Sequence, residues 1–290
     1  MNYIYHIATM VEIFVILALA LDLLAGWNGL LSLSQAAFYG TGAYLTAILS
    51  SRFDVAFPLL LVIVAITSGA LALPVVLFAR RLRDLYFTLA TLAWQVLVYS
   101  AMYNWVSVTN GPFGIVGIPR PAFFGLVLNT PLSFCLMGGV LAAIIAFAFM
   151  RLYRSPLARL FQGSRDDQLA LMTLGKDPRQ PQGHAVVISG AVSGMAGALF
   201  ASYFSYIDPT SFTLEESILV LSMVLIGGMG MVRGAIAGAL FYVLLPEAVR
   251  FLYLPDATAA NLRVMIYAGT LLLVVMFKPH GLFGRMRLAQ

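Results

Sequence analysis

The chain has 290 residues, of which 61% are hydrophobic and 10% are charged, and its formal net charge is +5. A soluble domain carries about 25% charged residues, so the composition excludes an ordinary soluble protein. The short alternating segments of a β-barrel are missing, and the single cysteine, Cys135, excludes a disulfide or cysteine-based metal framework. Recurring runs of about twenty apolar residues predict an all-α integral membrane protein, a polytopic helical bundle.

About nine membrane spans are predicted, within a range of eight to ten. In chain order they are about His6–Gly26, Gln35–Ser51, Ala56–Ala79, Leu85–Tyr103, Pro131–Met150, Ala185–Ser205, Ser217–Val232, Gly234–Leu252 and Leu262–Phe277. The Gly/Ser-rich stretch Trp27–Ser34 is predicted to be a re-entrant segment or a broken helix. The connection Asn104–Thr130 contains too many Gly and Pro residues for a regular helix.

The segment Arg151–His184 interrupts the apolar sequence with six of the 17 Lys and Arg residues and three of the 12 acids. If it is cytoplasmic, nine alternating spans place the N-terminus outside and the C-terminus inside. This assignment puts 13 of the 17 basic residues on the cytoplasmic side, a strong positive-inside bias. The bias explains the net charge without a nucleic-acid partner. Residues 1–290 are therefore predicted to form one transmembrane domain, with the loop 151–184 within it.

One internal echo is visible in the sequence. Leu33-Ser34 followed by Gly40-Thr41-Gly42 matches Leu221-Ser222 followed by Gly228-Met229-Gly230 at identical spacing. The two predicted spans run in opposite directions, which would suit the inverted repeat of many transporters. Chance similarity between two Gly-rich helices is the alternative.

Several stretches together resemble one family, the branched-chain amino-acid ABC transporter permeases of the LivM type. They are GLLSLSQAAFYGTGAY at Gly29–Tyr44, LRDLYFTLATL at Leu82–Leu92, TNGPFGIVGIP at Thr109–Pro119, SPLARLFQGSRDDQLALMTLG at Ser155–Gly175 and FKPHGLFG at Phe277–Gly284. The resemblance keeps the family order and covers nearly the whole chain. Urea, short-amide and other amino-acid permeases belong to the same family, so they are the alternative substrate classes.

The resemblance implies a multi-pass subunit of an ATP-driven importer in the bacterial inner membrane, not an enzyme. Implied partners are a homologous LivH-type permease, two cytoplasmic ATPases and a periplasmic substrate-binding protein. The sequence has no G-x-x-x-x-G-K-[ST] phosphate loop, so ATP is expected to be used by the partners, with no cofactor in this chain. The mechanism implied is alternating access.

Two short helices are predicted within the polar loop. Ser155 precedes Pro156 in the pattern of a helix start, and a second helix is predicted from about Arg165 to Leu174, after Gly163. The resemblance implies that this region couples the permease to the ATPase. The coupling role is assigned to Ser155, Arg165, Asp166, Asp167, Ala170 and Gly175. The alternative is a solvated loop that only satisfies the positive-inside bias.

A translocation path is predicted where polar side chains surround the break before the second span and the outer connection. Its candidates are Ser32, Ser34, Gln35, Thr41, Thr109 and Asn110. Unwound backbone with polar side chains is how transporters contact a zwitterionic substrate, and interhelical hydrogen bonding is the alternative.

Glu12 and Asp22 are the only acids deep in predicted spans. Intramembrane carboxylates are often functional, and an ion-coupled secondary transporter would depend on them. The alternative for Asp22 is contact with the membrane interface or with a helix N-terminus. Trp27 is predicted to be an interface anchor. No catalytic cluster and no metal site are predicted.

Overall fold

The computed structural model describes residues 2–53, 55–82, 84–123, 126–127, 130–250, 256–278 and 281–283. The described chain is a helical bundle whose long helices are α1 (Asn2–Asp22), α2 (Gln35–Arg52), α3 (Phe57–Leu71), α4 (Leu73–Arg81), α5 (Asp84–Asn104), α7 (Pro131–Tyr153), α10 (Arg179–Phe204), α11 (Leu214–Gly227), α12 (Val232–Arg250) and α13 (Asp256–Phe277). The short helices are α6 (Val106–Thr109), α8 (Pro156–Asp166) and α9 (Gln168–Thr173). A π-helical turn follows α1 at Leu23–Trp27, and 3-10 turns form at Gly111–Phe113 and Pro209–Phe212.

Four very short strands form two antiparallel ribbons. They are β1 (Ile115–Val116), β2 (Ala122–Phe123), β3 (Leu126–Val127) and β4 (Tyr206–Ile207). Strand β1 pairs with β4, and β2 pairs with β3. The predicted absence of a regular helix across Asn104–Thr130 is confirmed, since after the last residue of α5 the described part of that connection contains only α6, one 3-10 turn and strands β1, β2 and β3.

The membrane-protein prediction is confirmed in its coarse form. Five helical segments of the described chain are long and apolar enough to cross a membrane: Tyr3–Trp27, Phe57–Arg81, Leu85–Asn104, Pro131–Tyr153 and Arg179–Phe204. They correspond to the first, third, fourth, fifth and sixth predicted spans. The other predicted spans correspond to α2, α11, α12 and α13, which are not among these five, so the count of about nine stays a prediction.

The limits of the polar loop differ from the prediction. Helix α10 begins at Arg179, inside the predicted loop Arg151–His184. Its first turns are covered rather than solvated, because Gly183 lies so close to α4 that an added Cβ would sit 3.0 Å from Val76 Cγ1. The segment between the long helices is therefore Arg154–Pro178, which we call the polar segment.

The seventh predicted span, Ser217–Val232, is also too long. Helix α11 ends at Gly227, and a turn with positive φ at Gly228 (105°) and Gly230 (82°) leads into α12. The internal echo aligns this turn with Gly40-Thr41-Gly42, which lies inside α2. Because matching residues have different local structures, the echo gives no support to an inverted repeat.

Helices α2 and α10 pack backbone against backbone. A Cβ added at Gly42 would lie 2.1 Å from the carbonyl oxygen of Gly194, and one at Gly197 would lie 2.0 Å from that of Tyr39. Small residues let helix backbones approach closely in lipid, where apolar burial gives little drive to association. This contact fixes the start of α2 against the middle of α10.

The two ends of the bundle differ in character. Ser205, at the end of α10, accepts hydrogen bonds from Gly117 N (3.0 Å) and Ile118 N (3.2 Å). The polar segment lies at the other end of α10, where Arg165 bonds to the π-helical turn after α1. We call these the loop end and the basic end. Exposed basic residues at the basic end include Arg80, Arg81, Arg154, Arg159, Lys176 and Arg179.

Candidate functional site: the polar segment and the helix break

The polar segment contains two capped helices. Ser155 Oγ accepts from Ala158 N (3.4 Å) at the start of α8, which confirms the predicted helix start. Helix α8 continues through Gly163 to Asp166, so the break predicted at Gly163 is wrong in position. Asp167 separates the helices instead, because its Oδ1 accepts from Leu169 N (2.9 Å) and Ala170 N (3.0 Å) and caps α9.

Helix α9 and its C-cap, Leu174, carry exposed apolar side chains. Leu169 is 74% exposed, Met172 44% and Leu174 75%, and we call these three residues the apolar patch. The segment is anchored from its other side, since Phe161 of α8 is fully buried in the core. A large exposed apolar surface on an otherwise polar segment marks an interaction site.

Two other residues assigned to coupling border the patch. Ala170 is exposed on α9. Gly175 ends the helix with φ at +72° and has no atom within 4 Å of an added Cβ. Its left-handed backbone lets Gly175 N bond to Met172 O (2.9 Å) and close the last turn. The six assigned residues thus lie together in α8, α9 and their caps.

Arg165 joins the polar segment to the bundle. Its guanidinium donates through Nη1 to the carbonyl oxygen of Gly26 (2.6 Å), the fourth residue of the π-helical turn. The same side chain pairs with Asp166, whose Oδ1 accepts from Nε (2.8 Å) and Nη2 (2.6 Å). A cation on the carbonyl at the end of a helix is a favourable arrangement.

Asp22 holds the same turn from inside the bundle. The residue is 1% exposed. Its Oδ2 accepts from Trp27 Nε1 (3.1 Å), and its Oδ1 accepts from Gly230 N (2.6 Å) in the turn between α11 and α12. Trp27 is fully buried and packs edge-on against Phe149 and Tyr153, so its prediction as an interface anchor is wrong.

We call Asp22, Gly26, Trp27, Arg165 and Gly230 the inner junction. Through them the polar segment, the end of α1 and the α11–α12 turn are joined by hydrogen bonds. The turn is joined in addition to the chain after α13, since Leu282 N and Phe283 N donate to the last carbonyls of α11 at 2.9 Å each. Hydrogen bonds thus connect α8 to the end of α1 and, through Asp22, to the turn between α11 and α12.

The structure brings Ser32, Ser34 and Gln35 together, fully buried. Ser32 Oγ and Ser34 Oγ are 2.9 Å apart. Gln35 Nε2 donates to Ser189 Oγ (2.8 Å), and Gln35 Oε1 accepts from Ser193 Oγ (2.7 Å). The bonds of Gln35 to Ser189 and Ser193 match the interhelical alternative, whereas Ser32 and Ser34 lie two positions apart in the break and bond to each other.

Thr41 is partly exposed on α2, and its Oγ1 donates to Phe38 O (2.9 Å). Thr109 and Asn110 lie apart from it in a compact turn at the loop end. Thr109 Oγ1 donates to Met102 O (2.7 Å), and Asn110 Nδ2 donates to Gly114 O (2.8 Å). The six path candidates therefore do not form one cluster.

Three residues that hold the helix break were missed by sequence reasoning. Thr91 Oγ1 accepts from Leu33 N (3.0 Å), Thr88 Oγ1 donates to Leu31 O (3.0 Å), and Ser217 Oγ accepts from Ala36 N (2.9 Å). The only local signal was the spacing of the two threonines, which places them on one face of α5. The break is thus a fixed structure whose unpaired backbone groups are bound by α5 and α11.

Glu12 lies against α7 at the middle of α1, whereas Asp22 is the last residue of that helix. Cys135 Sγ donates to Glu12 Oε1 (3.4 Å), and Oε2 is buried without a hydrogen-bond partner in the described chain. Gly138 makes room for this carboxylate, since an added Cβ would lie 2.3 Å from Oε2. Across the residues that could be searched, no three His, Cys, Asp or Glu side chains lie close enough to hold a metal ion.

The profile of one protein family, "Branched-chain amino acid transport system / permease component", matches residues 3–276. The chain belongs to this family. It is 31% identical to the high-affinity branched-chain amino acid transport system permease protein LivM of Escherichia coli K12, over 97% of this chain and 70% of that protein. The LivM protein of Salmonella typhimurium LT2 matches with the same identity and coverage.

A relative of the second permease type also matches. The probable branched-chain amino acid transport permease protein LivH of Methanocaldococcus jannaschii is 23% identical over 94% of this chain and 89% of its own length. No solved structure matches the chain. Membership of the permease family confirms the resemblance drawn from the sequence motifs and makes this chain a membrane component of a transport system.

Proposed function

We propose that this permease forms half of the translocation path of an ATP-driven importer for branched-chain or related amino acids. A LivH-type permease would supply the other half, two cytoplasmic ATPases the energy, and a periplasmic binding protein the substrate. The bacterial inner membrane is the proposed location. The observation that carries the proposal is the exposed apolar patch on α9, joined through Arg165 to the end of α1.

The proposed topology has nine crossings, with the N-terminus outside and the polar segment and C-terminus inside. The alternation of the chain between the loop end and the basic end supports this topology. His6 Nδ1 lies 2.9 Å from Tyr203 Oη near the loop end. Gly230 N bonds to Asp22, and Leu282 N bonds to Ile226 O, at the basic end. The basic residues collected at one end support the same orientation through the positive-inside rule.

Alternating access would follow from movement of the polar segment. The apolar patch would bind a groove on an ATPase subunit, and nucleotide binding would displace α8 and α9. Since Arg165 holds Gly26 and Asp22 holds Gly230, this displacement would reach α1 and the α11–α12 turn together. The pre-formed hydrogen bonds make the transmission stiff, which coupling across a distance requires.

Charge on the apolar patch is expected to uncouple the importer. In the complex of both permeases with the ATPases and the binding protein, Leu169→Asp with Leu174→Asp should lower substrate-stimulated ATP hydrolysis about tenfold or more, since a charge cannot enter an apolar contact unpaired. Membrane insertion should be unaffected because both side chains are about three-quarters exposed.

Leu157→Asp is the matched control for the patch variant. Leu157 lies on α8, is 40% exposed and stands outside the patch, so stimulated hydrolysis should fall far less. Unaltered hydrolysis in the double variant would contradict the coupling role. Uptake by the purified chain without ATPases, driven by an imposed ion gradient, would instead support a secondary transporter.

Cysteine labelling tests the proposed orientation. Val116 at the loop end is 72% exposed and Leu174 at the basic end is 75% exposed, so the two sites are matched in accessibility. In a Cys135→Ala background, a membrane-impermeant maleimide added to intact spheroplasts should modify Val116→Cys and leave Leu174→Cys unmodified until the membrane is opened. The reverse pattern would refute the topology.

A further inference from the structure

A cavity of about 1070 Å³ lies between the polar segment and the bundle. Its walls come from four parts of the chain: the end of α4, the helix break after Trp27, helices α8 and α9, and the first turn of α10. A volume of this size is at the upper end of the range for small-molecule sites, about 300–1,000 Å³. The function proposed above uses the wall residues Arg165, Leu169 and Met172 but assigns no ligand to the cavity.

Each acid of the cavity wall already accepts a hydrogen bond from a nearby group. Asp166 pairs with Arg165, and Asp167 caps α9. Asp177 Oδ1 accepts from Arg179 N (2.9 Å). Each carboxylate thus has a donor from its own segment, and none of them bonds to the guanidinium groups that face them from α4.

Three arginine side chains of the cavity wall, in contrast, have no bonding partner in the described chain. Among the described residues, the guanidinium groups of Arg80, Arg81 and Arg179 make no hydrogen bond and no ion pair, and all three residues are exposed. Arg80 lies over the start of α10, with Nη2 3.7 Å from the position of a Cβ on Gly183. A wall with occupied acids and free guanidinium groups favours a negatively charged ligand.

A buried polar group points to the same cavity. Asn28 forms part of its wall, in the helix break, and is only 2% exposed. Neither Nδ2 nor Oδ1 has a hydrogen-bond partner in the described part of the chain. A buried amide without partners is unfavourable, so a ligand that accepts from Nδ2 would remove that penalty.

One wall of the cavity lies at the end of an apolar span. Arg80 and Arg81 are the last residues of the apolar span Phe57–Arg81, and Leu77, one turn earlier, also lines the cavity and is 56% exposed. The apolar side of α4 therefore leads directly to the free guanidinium groups. This is the depth at which phospholipid phosphates lie, and basic pockets between helices there suit such head groups.

We propose that this cavity binds a phosphate oxyanion. The guanidinium groups of Arg80, Arg81 and Arg179 donate to its oxygens, and Asn28 Nδ2 donates from the inner wall. The phosphate comes from the head group of an anionic phospholipid or from free phosphate, and both present the same oxyanion to the same donors. The cavity shares Arg165 with the inner junction and Leu169 and Met172 with the apolar patch as wall residues, but none of the four proposed donors belongs to either group.

The test uses the purified full chain. Phosphatidylglycerol and phosphatidylcholine are titrated onto it in detergent and followed by native mass spectrometry, and a separate thermal-shift series compares inorganic phosphate with chloride at equal ionic strength. Arg80→Gln with Arg81→Gln should weaken the binding of phosphatidylglycerol about tenfold or more, because charge-assisted guanidinium–phosphate bonds are lost. Arg154→Gln with Arg159→Gln removes the same charge from exposed residues outside the cavity and should change the affinity by less than about twofold.

Each outcome decides the proposal. Preference for phosphatidylglycerol that only the cavity variant loses supports the site and assigns it to lipid. A phosphate-specific shift lost in the same variant, without preference between the two lipids, supports the site and assigns it to free phosphate. Equal loss in both double variants, or no loss in the cavity variant, overturns it. If the cavity variant does not fold, Asn28→Asp decides, since its added negative charge should weaken binding in the same way.

Discussion

Replacing Gly197 by Ala is expected to prevent stable packing of α2 against α10. The new Cβ would lie 2.0 Å from Tyr39 O and 2.7 Å from Ala43 N, both backbone atoms. A backbone cannot move aside as a side-chain end does, so the helices must separate along their closest contact. Overpacking of a well-packed core costs about 1–3 kcal/mol, and the displaced contact includes the buried bonds of Gln35 to Ser189 and Ser193.

Gly269→Ala is the control for this substitution. Gly269 lies inside α13, where an added Cβ would meet nothing within 4 Å. The same change there should leave stability unchanged or slightly higher, because Ala favours a helix over Gly by about 1 kcal/mol. Thermal unfolding in detergent, followed by circular dichroism, measures both. Equal melting of the two variants would show that the α2–α10 approach is not tight.

The apolar spans could be predicted from the sequence because each depends on the composition of one continuous stretch. A run of about twenty apolar residues is sufficient to predict a crossing helix, and the five clearest spans were all found in this way. Helix starts with a local chemical signal were found as well. Ser155 before Pro156 is one, where the cap and the fixed φ of proline act within four residues.

Helix ends that depend on packing against residues far away in the sequence could not be predicted. The sequence RQPQGH at the start of α10 is polar and contains a proline, which indicates a loop, yet Pro181, Gln182 and Gly183 are buried. Tertiary cover by α4 lets the helix extend into this polar stretch. Likewise, no local pattern shows that Gly228 and Gly230 form a turn whereas Gly40 and Gly42 remain helical.

The inner junction could not be predicted for the same reason. Asp22 and Gly230 are separated by 208 positions, and Arg165 and Gly26 by 139. From the sequence, Asp22 was only an acid in an apolar span, open to a transport role, an interface position or contact with a helix N-terminus. Its two donors are an indole N–H and a backbone N–H, which no arrangement of charged residues would have indicated.

Replacing Asp22 by Ala is expected to break the inner junction. The change leaves Trp27 Nε1 and Gly230 N without an acceptor in a site that is 1% exposed. Hydrogen bonds to a charged group contribute about 1.5–3 kcal/mol each, so the free energy of unfolding should fall by about 3–5 kcal/mol. Asp22→Asn keeps one acceptor oxygen and should lose about half as much.

Glu12→Gln is the control on the same helix. Glu12 Oε2 has no partner in the described structure, so the loss of its charge should cost little stability.

A double-mutant cycle then separates local damage to the fold from transmission of movement. Asp22→Asn and Arg165→Gln act on one π-helical turn, and their effects on substrate-stimulated ATP hydrolysis should be non-additive by about 0.5 kcal/mol or more. Additive effects would mean that the polar segment and the α11–α12 turn respond independently, and the junction would then hold the fold together without carrying movement.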